Sequence, residues 1–229
     1  MKAGLKKHYS LIIFDWDGTV VDSVPSIVEA LKRAALDQRL PILDDQAYKD
    51  IIGLSLQPAC QRLYPALDIS GIAALMEGYK THHRALLDQQ PALAFTGAIE
   101  SLQELQDAGL VLAVATGKGQ VGLQKSIAVN HAGSLFQCCK TADDARSKPD
   151  PDMLEQILKE LGVSAEQALM VGDSGFDMQM AHNAGIDCVA VSYGAQSADR
   201  LKAWQPVLII DHFANLIDWL GLNKLEEVI

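Results

Sequence analysis

The sequence is poor in positive charge. Lys and Arg together number 19 against 29 Asp and Glu residues, so the formal net charge is −10 at pH 7. Proteins that bind nucleic acid need clustered Lys and Arg to neutralise the phosphates. The composition therefore argues against nucleic acid as a partner.

Long apolar runs and paired cysteines are also lacking. No run approaches the roughly 20 residues that span a bilayer, so no membrane partner is expected. The cysteines form neither a CxxC pair nor a metal-ligand spacing; they are Cys60, Cys138, Cys139 and Cys188. The neighbours Cys138 and Cys139 would point to opposite faces of a strand, which favours buried free thiols. Reduced thiols of this kind favour a cytoplasmic protein.

Short apolar runs alternate with helical patterns along the chain. They predict strands at 9–14, 110–115, 169–171, 188–191 and 207–210, with a candidate sixth at 136–140. This alternation is typical of an α/β fold in which helices cover both faces of a doubly wound parallel sheet. Ligands bind beyond the carboxyl ends of such strands. The polar segments that follow the first three strands named above, residues 15–18, 116–118 and 172–175, are therefore predicted to converge.

Local helix signals agree with this fold. Asp150 is a predicted N-cap, with Pro151 as the first helical residue and Gly162 just beyond the last one. Thr96 is predicted to cap another helix, which Gly109 ends.

Residues 23–94 differ from the rest of the chain. They lack a strong strand pattern and carry helical ones, which predicts a small α-helical domain inserted after the first strand. The predicted division is an α/β core at 1–22 and 95–229 with a helical insertion at 23–94. The insertion is expected to close over the core by hinging near 22–23 and 92–95. The apolar face of the C-terminal helical run favours core packing over a dimer contact, and the chain is expected to be a monomer or a homodimer.

The most informative segment is the acidic one that follows the first apolar run. Asp15 and Asp17 come directly after a predicted buried strand and are followed by Gly18. Two carboxylates so close together raise each other's pKa. Such a pair indicates a bound cation or a proton to be moved.

Four short motifs stand in order along the chain. They are Asp15-x-Asp17-Gly18-Thr19, Thr116-Gly117-Lys118, Lys148-Pro149-Asp150 and Gly172-Asp173-Ser174-Gly175-Phe176-Asp177. Together they resemble the signature motifs of the haloacid dehalogenase superfamily, and the likeness covers nearly the whole chain. The helical insertion after the first motif looks like the cap of the phosphoglycolate phosphatase-like subfamily.

The resemblance implies a Mg²⁺-dependent phosphatase acting on a small phosphorylated metabolite such as phosphoglycolate. Asp15 would attack phosphorus and form an aspartyl phosphate. Asp17 would serve as general acid and then as general base, which favours phosphoryl transfer over dehalogenation. Metal contacts are expected from Asp15, Asp173 and the backbone carbonyl of Asp17, and Asp177 would support the metal or orient Lys148.

The remaining site residues follow from the same motifs. Phosphate contacts are expected from Gly18, Thr116, Gly117 and Lys148, whereas Lys118 is expected to be peripheral. In the insertion, Gly53 is predicted to let a loop approach the site. Further candidates for contact with the leaving group are the side chains of Lys49, Arg62, His82, His83 and Arg84.

Two other functions remain open on the sequence. A phosphomutase of the β-phosphoglucomutase type would share every motif and differ in the insertion and in how well water is excluded. A non-catalytic binding module descended from such enzymes would have no need to retain Asp15, Asp17, Lys148 and Asp173.

Overall fold

A computed structural model describes residues 9–222 of the chain. Its sheet has six strands: β1 (Leu11–Phe14), β2 (Val111–Ala115), β3 (Cys138–Lys140), β4 (Ala168–Gly172), β5 (Asp187–Val191) and β6 (Leu208–Ile210). All pairings are parallel and the strand order is β3-β2-β1-β4-β5-β6. The predicted α/β sheet is confirmed, including the candidate sixth strand.

The register of the sheet brings the predicted polar segments together. Phe14, the last residue of β1, lies opposite Val114 on β2 and Val171 on β4. The chain therefore leaves these three strands at the same edge of the sheet. Side chains that follow Phe14, Ala115 and Gly172 meet there, as the sequence predicted.

Apolar side chains from alternate strand positions pack on the two faces of the sheet. Ile12 and Phe14 lie in the core on one face, and Leu11 and Ile13 lie in the core on the other. Cys138 belongs to one core and Cys139 packs against the other, as predicted for neighbours in a strand. The cysteines are all free.

Between the insertion and residue 222, the structure has six α-helices: α5 (Ala98–Asp107), α6 (Gln120–Val129), α7 (Asp152–Leu161), α8 (Gly175–Asn183), α9 (Ala198–Lys202) and α10 (Asn215–Leu220). The hydrophobic face of α10 packs into the core with Leu216 and Ile217, as its pattern indicated.

Two predicted helix starts were wrong by one residue. The N-cap of α7 is Pro151 rather than Asp150, although the Asp150 carboxylate still accepts a hydrogen bond from the backbone N–H of Asp152. The N-cap of α5 is Gly97 rather than Thr96, because the chain turns there at a φ of 76°, which glycine tolerates. The predicted Gly162 end of α7 is confirmed.

Between β1 and β2 the chain forms four helices: α1 (Val24–Asp37), α2 (Asp45–Lys49), α3 (Leu56–Leu63) and α4 (Ile69–Gln89). They enclose a hydrophobic cluster of their own, which includes Leu31, Tyr48, Cys60 and Leu75. A separate core explains how a helical insertion keeps its shape beside the sheet.

The two crossings between insertion and core are joined to each other. Val21 and Ala94 form an antiparallel bridge. The amide side chain of Asn130, which follows α6, accepts from the backbone N–H of Ala94 and donates to the carbonyl of Ala92. Both predicted hinge segments thus lie side by side, and their movement remains a prediction.

Within residues 9–222, no helix combines the length and the apolar character needed to cross a membrane.

Candidate active site

The Asp15 carboxylate lies directly beyond β1 and is almost completely buried. Its Oδ1 atom accepts a hydrogen bond from Lys148 Nζ at 2.7 Å. Among the buried side-chain polar atoms of residues 9–222, Asp15 Oδ2 alone has no hydrogen-bond partner. Burial raises the pKa of Asp15 to about 7; Lys148 opposes this rise, and the charges of Asp177 and Asp17 add to it.

Lys148 lies between two carboxylates inside the protein. Its side chain is fully buried, and Nζ donates to Asp177 Oδ1 at 2.6 Å as well as to Asp15. Burial alone would lower the pKa of this amine, but the two carboxylates outweigh burial and raise the pKa above its usual value. Lys148 is therefore a fixed positive charge beside the candidate nucleophile.

Asp177 is held by the start of α8. Its Oδ2 atom accepts from both the backbone N–H and the hydroxyl of Ser174, and the two residues form a capping box. With Lys148 on Oδ1, both oxygens of Asp177 are engaged. Asp177 was predicted either to support the metal or to orient Lys148. Its hydrogen bond with Lys148 serves the second of these roles directly.

Asp173 follows β4 and is fully buried. Its Oδ2 atom accepts from the backbone N–H of Ala195 at 2.6 Å, and Thr19 lies at hydrogen-bonding distance from Oδ1. Burial raises the pKa of Asp173 well above its usual value, and the negative charges of Asp15 and Asp177 raise it further.

Gly18 is required by the close approach of Asp173. The residue has a φ of +82°, and a Cβ atom there would lie 2.1 Å from Asp173 Oδ2. A side chain at this position would displace the carboxylate. Gly18 was predicted to allow close contact with the phosphate of the substrate, whereas the group that lies against it in the structure is the Asp173 carboxylate.

The cluster of acids suits a divalent cation. Oxygen atoms of Asp15, Asp173 and Asp177 lie within 4.8 Å of one another. When all three acids are ionised, the one ammonium of Lys148 leaves two negative charges uncompensated, and this mutual repulsion is part of what raises the pKa values of Asp15 and Asp173. Buried carboxylate oxygens of this kind are the ligands that a hard divalent cation prefers.

Asp17 lies beside this cluster and makes two contacts. Its Oδ1 atom accepts from the hydroxyl of Ser23 at 2.6 Å, and Lys118 Nζ lies 3.1 Å from Oδ2. The expectation that Lys118 is peripheral was wrong. Its side chain is only 12% exposed, because it turns inward toward Asp17.

Thr116 lies directly beyond β2 and is buried. Its hydroxyl oxygen accepts from the backbone N–H of Lys118, which leaves the hydroxyl hydrogen available for another acceptor. Thr116 thus stands at the same edge of the sheet as Asp15, where the sequence predicted it.

A loop of the insertion reaches this edge of the sheet. At Gly53, φ is +102° and an added Cβ would lie 2.9 Å from the Ser174 hydroxyl. At Gly117, an added Cβ would lie 2.5 Å from the carbonyl oxygen of Leu54. The backbone N–H of Ser55 donates to the Ser147 hydroxyl. The loop therefore contacts two of the motif segments, at Gly117 and Ser174, and the residue directly before a third, Ser147. Close packing there accounts for both glycines.

The candidate side chains of the insertion take different positions. His83 is buried and stacks on Tyr79 with ring centroids 5.1 Å apart. Arg62 lies over the Phe176 ring at 5.5 Å. His82 pairs with Asp37, Arg84 is exposed near Asp88, and Lys49 lines a cavity of about 340 Å³ beside Gly194.

Two contacts at the site were not predicted from the sequence. The backbone N–H of Ala195 binds Asp173, and Lys118 binds Asp17. Ala195 lies just beyond β5, so the rule that polar contacts gather at carboxyl ends of strands would have found this segment. Ser192-Tyr193-Gly194 in front of it carries no acidic or basic side chain and gave no other signal.

Comparison with known proteins gives three informative matches. A family model described as haloacid dehalogenase-like hydrolase matches residues 12–191. The chain is 35% identical over 210 residues to the probable phosphatase IndB of Dickeya dadantii, covering 90% of this chain and 91% of the relative. It is 32% identical over 222 residues to a phosphoglycolate phosphatase of Rhodospirillum rubrum, covering 93% and 91%.

The fold is also found among solved structures. A hydrolase from Pseudomonas syringae matches with a TM-score of 0.83 at 25% identity, over 94% of this chain and 99% of that one. The similarity therefore extends over the sheet and the helical insertion together.

Proposed function

Because the chain belongs to the haloacid dehalogenase-like hydrolase family and is a phosphoric monoester hydrolase, we propose that it hydrolyses a small phosphate monoester through an aspartyl-phosphate intermediate on Asp15, with Mg²⁺ as cofactor. Phosphoglycolate, the substrate named for several relatives, is the leading candidate. One observation carries the proposal: Asp15 presents a buried, unpartnered carboxylate oxygen beside the fixed charge of Lys148.

In the first step the unpartnered oxygen of Asp15 attacks phosphorus. A bond forms between Asp15 Oδ2 and phosphorus, and the bond from phosphorus to the ester oxygen breaks. Asp17 gives its proton to the departing alkoxide. The hydroxyl of Ser23 holds the Asp17 carboxyl group in place for this transfer.

In the second step water attacks the phosphorus of the aspartyl phosphate. Asp17, now a carboxylate, takes the proton from that water. The bond between phosphorus and Asp15 breaks, and inorganic phosphate leaves. Asp15 and Asp17 return to their starting states.

Several groups of the chain would bind the phosphoryl oxygens. Lys148 supplies a positive charge that Asp15 and Asp177 hold in one position. The Thr116 hydroxyl has its hydrogen free to donate. The backbone N–H groups near Gly18 and Gly117 complete the proposed phosphate site.

Asp15, Asp173 and the backbone carbonyl of Asp17 would hold Mg²⁺ through oxygen atoms, and Asp177 would support this site. When bound, the cation would cancel charge on the phosphoryl group and on the attacking carboxylate. Asp173 is prepared for this role because Ala195 and Thr19 hold its two oxygens.

Stabilisation by Mg²⁺ is expected to depend on pH. In the metal-free protein, folded Asp15 keeps a proton up to pH about 7, whereas its usual pKa is 3.8. Because the folded protein binds this proton more tightly than the unfolded chain, Asp15 adds to the free energy of unfolding. That contribution is fully present below pH 3.8 and is lost as the pH rises through about 7. Below pH 7 the cation must displace that proton.

We therefore expect Mg²⁺ to raise Tm more at pH 8 than at pH 5.5, in thermal unfolding at matched ionic strength. Sodium chloride at the same ionic strength is the control. An equal or larger rise at pH 5.5 would show that Asp15 is not a ligand.

The helical insertion, residues 23–94, is proposed to be a cap that covers the substrate. Its support is the loop at Gly53–Ser55, which contacts Gly117, Ser147 and Ser174 of the core. The free cysteines, whose thiol pKa values are raised by burial, favour a reducing compartment such as the cytoplasm.

The function is tested by phosphate release from a panel of phosphorylated metabolites that includes phosphoglycolate. Parallel reactions contain Mg²⁺ or a chelator, and a hexose 1-phosphate is followed for isomerisation. We expect Mg²⁺-dependent release from one or two compounds and no isomerisation. Isomerisation without hydrolysis would replace the phosphatase by the mutase.

A further inference from the structure

The site contains a second lysine besides Lys148. This residue, Lys118, carries a positive charge that has no role in the proposed phosphatase mechanism. Its ammonium group is 3.1 Å from Asp17 Oδ2, and its side chain is 12% exposed. Asp17 is the residue that would protonate the leaving oxygen. Lys118 therefore lies on the leaving-group side of the proposed reaction.

The structure fixes the backbone of Lys118 on both sides. Its N–H donates to the Thr116 hydroxyl, and its carbonyl accepts from the backbone N–H of Ala142. The side-chain stem passes over Gly122, where an added Cβ would lie 3.1 Å from Lys118 Cγ. These contacts place the ammonium group of Lys118 beside Asp17.

The two lysines of the site differ in what they can bind. Lys148 has a carboxylate on each side and a fully buried side chain. Lys118 contacts one carboxylate and keeps some exposure. A lysine has three N–H donors, so Lys118 can accept a further anion without losing Asp17.

The helical insertion faces this lysine with neutral polar groups. Tyr79 and His83 stack on α4, and His83 also contacts the Ser26 hydroxyl at 3.4 Å. Burial and the nearby charge of Lys118 lower the pKa of His83 to about 4, against the pull of Asp17. The ring is thus uncharged near neutral pH and adds no repulsion to a bound anion.

We propose that Lys118 determines specificity by binding an anionic group, a carboxylate, on the leaving group of the substrate, opposite the Tyr79–His83 wall of the insertion. This inference rests on the proposed phosphatase function and narrows its substrates. They are phosphate monoesters whose alcohol part carries a carboxylate within a few bonds of the ester oxygen. A substrate with an uncharged alcohol part of the same size would make no ionic contact with Lys118, which would then pair with Asp17 alone.

The test compares phosphoglycolate with ethyl phosphate, which has the same two-carbon skeleton without the carboxylate. kcat/KM is measured for both with the native protein, Lys118→Gln, Lys118→Arg and the control Lys125→Gln, which removes an exposed lysine of α6. We expect Lys118→Gln to lower the ratio of the two kcat/KM values by about 100-fold. Lys118→Arg should restore part of the ratio, and Lys125→Gln should leave it unchanged.

Equal losses for both compounds in Lys118→Gln would overturn the inference, because they would show that Lys118 acts only through Asp17 or the fold. A native protein that hydrolyses both compounds equally well would also overturn it while the phosphatase function stands. Failure of the native protein to release phosphate from any panel compound would instead contradict the function itself.

Discussion

Replacing Asp15 by Asn lowers kcat for phosphate release by about 10⁴-fold or more, while the protein stays folded. The amide has nearly the shape of the carboxylate, so its oxygen can still accept from Lys148. It cannot attack phosphorus as an anion. The loss is expected to be this large because the variant removes the nucleophile rather than one of several groups that stabilise charge.

The measurement is steady-state phosphate release with Mg²⁺, together with circular dichroism and thermal unfolding of the same samples. Asp88→Asn is the matched control, since it makes the same chemical change at an exposed position of α4. Turnover within tenfold of the native rate in Asp15→Asn would rule out Asp15 as the nucleophile. Should Asp15→Asn fail to fold, the same measurement is made on Asp15→Glu, which keeps the negative charge but moves the attacking oxygen away from its native position.

Replacing Lys148 by Met affects both stability and activity. The change leaves Asp15 and Asp177 buried without the cation that lies between them. Removing one partner of a buried ion pair costs about 3–5 kcal/mol. We therefore expect the free energy of unfolding to fall by that amount in metal-free buffer. Loss of a fixed charge at the phosphoryl group should also lower kcat by about 10²–10³-fold.

Urea unfolding and phosphate release measure the two effects. Lys125→Met is the control, because Lys125 is exposed on α6 and its loss should change neither quantity appreciably. A Lys148→Met protein as stable as the native one would show that the three acids do not depend on this lysine. Asp177→Asn, which leaves the pair of Lys148 with Asp15, is expected to have an intermediate stability.

Much of the core and the acid cluster could be predicted from local sequence. Short apolar runs predict the buried strands. One polar side chain follows each of three of these strands directly: Asp15, Thr116 and Asp173. Parallel pairing then brings the carboxyl ends of β2, β1 and β4 together, so their proximity needed no further information. Lys148 follows no long strand, and its place depended on the resemblance to a family.

The parts that could not be predicted depend on contacts between distant segments. Lys118 resembles a surface lysine in sequence, and its contact with Asp17 joins two segments that are far apart in the chain. The need for glycine at position 18 comes from its own turn, at a φ of +82°, and also from Asp173, which lies far along the chain and could not be foreseen as a neighbour. The position of Ala195 beyond β5 could have indicated its segment, but Ala195 binds Asp173 through a backbone N–H, so no side-chain pattern identifies the residue itself.

The central claim is that the phosphoryl group passes through Asp15, and covalent trapping tests it most directly. The native protein is mixed with radiolabelled 4-nitrophenyl phosphate, whose leaving group needs no proton, and is quenched in acid within milliseconds. We expect label bound to the native chain, more of it in Asp17→Asn, where the second step lacks its base, and none in Asp15→Asn. Rapid phosphate release by the native protein without any label on the chain, or label that persists in Asp15→Asn, would contradict the account.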